Sequence, residues 1–77
     1  VEEAVRRHTD LAGADLRHAN LAHAMLDDAR LARARLDGAN LTGANLSEAQ
    51  LDGACFEGAA LQAACLCFST LRGCDFR

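Results

Sequence analysis

Four cysteines, Cys55, Cys65, Cys67 and Cys74, crowd the last third of a 77-residue chain whose three histidines, His8, His18 and His23, all lie in its first third. Thiolate and imidazole are good zinc ligands, yet Cys65 and Cys67 lack a second ligand pair at a useful spacing, and the histidines are far off in sequence. Reduced thiols are expected, because nothing in the chain marks secretion. His18 and His23 would need a carboxylate at a supporting spacing to move protons; none recurs, so both read as solvated side chains. Asp27, Asp28 and Glu48 supply carboxylates but no carbonyl-rich loop to complete an oxygen cage, and read as a solvated acidic strip. Ser47 and Ser69 have no His and acid placed for a triad. The glycines are dispersed, not gathered into a phosphate-binding loop. No catalytic residue, no metal site and no cofactor are expected.

The bulk properties exclude further classes. Eleven acidic and eight basic residues give a formal charge of −3, without the cationic excess that phosphate backbones demand. Three phenylalanines are the whole aromatic content, too few for a base-stacking platform. Direct nucleic-acid binding is not expected. No apolar run is long enough to span a bilayer, so a soluble, cytoplasmic protein is the expectation.

Any element that positions these side chains must obey a period of five. From Thr9 onward the chain divides into TDLAG, ADLRH, ANLAH, AMLDD, ARLAR, ARLDG, ANLTG, ANLSE, AQLDG, ACFEG, AALQA, ACLCF, STLRG and the partial CDFR. All twelve leucines occupy the third place, joined only by Phe56 and Phe76. Alanine holds the first place eleven times in succession, and all six glycines fall in the fifth. An α-helix turns about 500° over five residues, so its leucines would circle the surface. A straight strand would throw successive leucines onto opposite faces. A chain that bends once per repeat escapes both problems, with glycine suited to the corner. Leu16, Leu21, Leu26, Leu31, Leu36, Leu41, Leu46, Leu51, Phe56, Leu61, Leu66, Leu71 and Phe76 then point inward. Ala14, Ala19, Ala24, Ala39 and Ala44 join them, being small enough to let the walls approach.

The motif A(D/N)LxG, as in Ala14-Asp15-Leu16, Ala39-Asn40-Leu41-Thr42-Gly43 and Ala44-Asn45-Leu46, resembles the pentapeptide-repeat family over about nine-tenths of the chain. The resemblance implies an all-β fold, a right-handed quadrilateral β-helix in which four repeats make one coil. Residues 9–77 would give about three and a half coils, with 1–8, VEEAVRRH, as a cap that could be helical. Stacking at twenty residues would oppose charges at Asp10 and Arg30, Asp15 and Arg35, Arg17 and Asp37, Asp52 and Arg72, and Glu57 and Arg77. It would also stack Asn20 on Asn40 as an amide ladder, and Phe56 on Phe76.

The edge at Arg77 is expected either to be continued by further chain or to pair with a partner, a second copy above all. Phe68, Cys67 and Phe76 are its candidate interface residues. The function expected is a non-catalytic interaction or structural scaffold. The alternative, which the resemblance implies, is a DNA mimic that protects DNA gyrase or topoisomerase from inhibitors. Duplex DNA carries one charge per about 1.7 Å, or roughly ten over a column about 17 Å tall, against −3 here.

Overall fold

A computed structural model describes residues 10–77. The expected cap over 1–8 lies outside the described residues. From Asp10 onward the second-place residue of each repeat pairs in parallel with the residue twenty positions later, from Asp10 with Arg30 through to Cys55 with Asp75. Twenty residues are four repeats, so the chain returns to the same side after four bends and stacks there on itself. These pairings are isolated bridges, one per repeat, and the described residues contain no extended strand. A five-residue side that must also turn has room for only one residue in ladder geometry.

Residues 34–38 show how one side is held. The Arg35 N–H donates back to the Ala14 carbonyl at 2.8 Å, while the Leu36 and Gly38 N–H groups donate forward to the carbonyls of Cys55 and Glu57, each at 2.8 Å. The corner closes when the Ala39 N–H donates to the Leu36 carbonyl at 3.0 Å. Only the fifth-place residue of each corner has positive φ, between 60° and 75°, which is the signature of a type II turn. Glycine fills six corners; His18, His23, Asp28, Arg33, Glu48, Ala63 and Phe68 adopt the same conformation in the other seven.

The interior contains only apolar groups. Leu21 to Leu51 in the third place, Phe56, and the first-place alanines from Ala24 to Ala54 are buried, and no polar or charged residue is buried with them. Ala14, Ala19, Leu16, Leu61, Leu66 and Leu71, in the first and last described rungs, are only partly buried. Phe76 stacks on Phe56 with ring centroids 5.0 Å apart and planes 4° from parallel, yet remains 48% exposed. Four outer faces result. The first holds 10–13, 29–33, 49–53 and 69–73; the second 14–18, 34–38, 54–58 and 74–77; the third 19–23, 39–43 and 59–63; the fourth 24–28, 44–48 and 64–68.

Candidate functional site: the outer faces

Second- and fourth-place side chains of one repeat stand side by side on the outside, since residues two apart on an extended segment share a face. An Asp or Asn in the second place uses that proximity to accept from the N–H two residues on. Asn40 Oδ1 takes the Thr42 N–H at 3.1 Å and its hydroxyl at 2.7 Å; Asp10, Asp15, Asn20, Asn45 and Asp75 accept in the same way. This Asx turn pre-bends the chain one residue before the corner. The amide ladder expected between Asn20 and Asn40 is replaced by these bonds within each repeat.

The ion pairs are likewise internal to a repeat. Arg17 meets Asp15 at 2.8 Å, Arg77 meets Asp75 at 3.1 Å and Arg35 meets Asp37 at 3.5 Å. None of the five pairs expected at twenty residues forms a salt bridge among the described residues; Asp52 Oδ1 accepts instead from the Arg72 backbone N–H at 3.1 Å. Arg17, Arg35 and Arg77 already have a carboxylate beside them in their own repeats, so the neighbouring rung has less to offer them. Hydrogen bonds from the Arg17 side chain and backbone hold the Asp15 carboxyl well below the usual range.

On the second face, ligand atoms of Asp37, Cys55 and Glu57 lie within 4.8 Å of one another, the one such grouping among the described residues. Asp27, Asp28 and Glu48 do not form one. Asp37 is held low, first by the Cys55 thiol beside it. The Glu57 N–H favours the Cys55 thiolate, but Asp37 and burial outweigh it and push that thiol up. Asp37 Oδ1 is buried without a fixed partner among the described residues. Arg35 already brings positive charge to this carboxylate, which weakens the case for a metal ion.

The fourth face carries the thiols that spacing alone had set aside. Cys65 and Cys67 fill the second and fourth places of one repeat, and their Sγ atoms are 3.1 Å apart. Ser47, one rung below, places Oγ 3.2 Å from Cys65 Sγ and 2.7 Å from Asn45 Oδ1, so its single proton serves either the amide oxygen or a Cys65 thiolate. Hydrogen bonds from Ser47 and from the Cys67 backbone and thiol draw the Cys65 thiol down to about 7, while the same Cys65 pushes Cys67 up. The signal was present in the sequence: two cysteines in the two outward places of a single repeat. Elsewhere Ser69 Oγ is engaged with the Leu66 carbonyl at 2.7 Å, and Cys74 Sγ lies 2.9 Å from the Leu51 carbonyl.

The candidate interface residues divide between two regions. Cys67 is exposed and Phe68, at the corner beyond it, is 88% exposed, sharing the fourth face with the exposed Met25. Phe76 lies on the terminal rung of the second face. His18 and His23 occupy exposed corners of the second and third faces, each beside a glycine of the next rung.

The sequence matches the family model for pentapeptide repeats, in 8 copies, over residues 7–36 and 26–62. Comparison with curated proteins gives no match. Among solved structures, the chain is similar to the pentapeptide repeat protein Rfr23 from the cyanobacterium Cyanothece 51142, with 33% identity and a TM-score of 0.86 over 88% of this chain and 47% of that one. It is also similar to HetL, a pentapeptide repeat protein involved in heterocyst differentiation regulation in Nostoc sp. strain PCC 7120, with 31% identity and a TM-score of 0.66 over 86% of this chain and 38% of that one. The chain thus spans less than half the length of each.

Proposed function

The chain belongs to the pentapeptide-repeat family, and from that premise we propose that it is a non-catalytic scaffold whose outer surface and terminal rung bind protein. The winding we assign is right-handed and quadrilateral, about three and a half coils over 9–77 at the twenty-residue register of the bridges. A second copy of the chain, meeting the terminal rung, is the partner we favour, in a reducing compartment such as the cytoplasm where free thiols persist. The observation that carries this reading is Phe76. Its ring continues an interior stack on Phe56 yet leaves 48% of the residue exposed. With Phe68, 88% exposed, it gives apolar surface that a docking copy would cover.

Protection of DNA gyrase by duplex mimicry has less support. Carboxylates of Asp15, Asp37 and Asp75 each have an arginine beside them in the same repeat, so the second face offers alternating charge instead of a column of anions.

The solution mass of the 77-residue chain, taken with and without Phe76→Asp, tests the dimer. A dimer that dissociates on this substitution while the circular dichroism is unchanged supports it; a monomeric parent chain sinks it. Protection of gyrase supercoiling from a quinolone, measured alongside, would move the reading to mimicry.

A further inference from the structure

We propose that Cys65 and Cys67 form a redox-active dithiol that exchanges with low-molecular-weight disulfides and closes to an internal disulfide. The proposal is independent of the scaffold reading and rests on the fourth face alone. The two Sγ atoms are 3.1 Å apart, against about 2.05 Å in a disulfide, so about 1 Å of side-chain movement closes the bond. Both cysteines are fixed to the rung below: the Cys65 N–H donates to the Ala44 carbonyl at 2.9 Å, the Leu46 N–H to the Cys65 carbonyl at 2.7 Å and the Glu48 N–H to the Cys67 carbonyl at 2.8 Å. Cys67 is open to solvent and Cys65 half-buried, so a small disulfide can reach the pair from the outer face.

The roles of the two sulfurs differ. Ser47 Oγ lies 3.2 Å from Cys65 Sγ, so its one proton can turn from Asn45 Oδ1 to the thiolate once Cys65 ionises; the Cys67 backbone favours the same thiolate, which makes Cys65 the attacking sulfur. With glutathione disulfide, Cys65 Sγ bonds to one glutathione sulfur as the S–S bond of the reagent breaks. The departing glutathione thiolate takes a proton from water. Cys67 then gives its thiol proton to solvent and attacks Cys65 Sγ, which forms the internal bond and expels the second glutathione. Two electrons leave the dithiol, and one disulfide becomes two thiols. The geometry exists because second- and fourth-place side chains always stand together here; in this one repeat both are thiols.

The test uses the reduced 77-residue chain and glutathione disulfide, read by intact mass and by fragment mapping after the remaining thiols are alkylated. The expected product has lost two hydrogens, with the link at Cys65–Cys67 and with Cys55 and Cys74 alkylated. Cys67→Ser, a change at an exposed side chain, should trap one glutathione on Cys65, and Ser47→Ala should slow the reaction several-fold. Glutathione spread evenly over the four cysteines, with no internal link in the parent chain, would overturn the proposal. So would trapping on Cys55 as fast as on Cys65.

Discussion

His23 lies against the corner glycine of the next rung so closely that a methyl group added at Gly43 would fall 2.5 Å from His23 Nδ1. His18 and Gly38 repeat the arrangement at 2.6 Å, whereas a methyl at Gly58 would meet nothing within 4 Å.

Gly58→Ala should therefore cost only the left-handed backbone, about 1–2 kcal/mol. Gly43→Ala carries that cost and must also displace the imidazole. Urea denaturation should show the larger loss at Gly43, and the excess should vanish in a His23→Ala background. Equal losses at the two corners would show that the ring moves aside freely.

Ala63 occupies a corner with φ of +62° and has a side chain that gains nothing from the conformation. Ala63→Gly relieves about 1 kcal/mol of backbone strain at a smaller cost in unfolded-chain entropy. The midpoint in urea should rise. A fall would mean that the corner does not hold this φ in solution.

The interior predicts a gradient along the column. Leu36 and Leu41 are fully buried, and Leu→Ala at either should cost about 2–5 kcal/mol, enough to unfold much of so small a chain. Leu→Asp at either site should leave no folded protein. Leu61→Ala, in the partly covered outer rung, should be milder. Thermal unfolding followed by circular dichroism orders the three.

Asp15 gives the pH dependence. Its folded carboxyl titrates well below the ordinary value of 3.8 because Arg17 bonds to the carboxylate. A depressed folded pKa means that its contribution is fully present above 3.8 and is lost as pH falls through the lower, folded value. Both groups are exposed, so the effect on stability is small. Site-resolved NMR titration should find Asp15 charged at a pH where free aspartate is half protonated, and Arg17→Ala should return it towards the ordinary value. An unchanged titration in that variant would refute the assignment to Arg17.

The column was legible because leucine every five residues permits few alternatives, while the twenty-residue stacking of Phe56 on Phe76 rests on the four repeats per coil that the family resemblance implies. The outer surface was less legible. Asp15 and Arg17 are two apart and Asp15 and Arg35 twenty apart; the sequence offers both pairings, and only the shared extended segment makes the nearer one win. Asn40 does stack on its counterpart Asn20, but the amide oxygen of each closes on the N–H two residues on instead of forming a ladder between them. Cys65 and Cys67 match no zinc spacing, so distance along the chain assigns them no role, while the repeat itself places their sulfurs together.

Insertions and deletions would act on this molecule with two different periods. Removing any five residues leaves leucine stacked above leucine, so the interior survives the change. The same deletion rotates everything beyond it by a quarter turn, and a loss between Ser47 and Cys65 would carry the dithiol onto a neighbouring face, away from its hydroxyl. A loss of twenty residues shortens the column and keeps each remaining face in phase. Surface chemistry on such a chain can be inherited intact only in units of a whole coil, whereas the core tolerates change one repeat at a time.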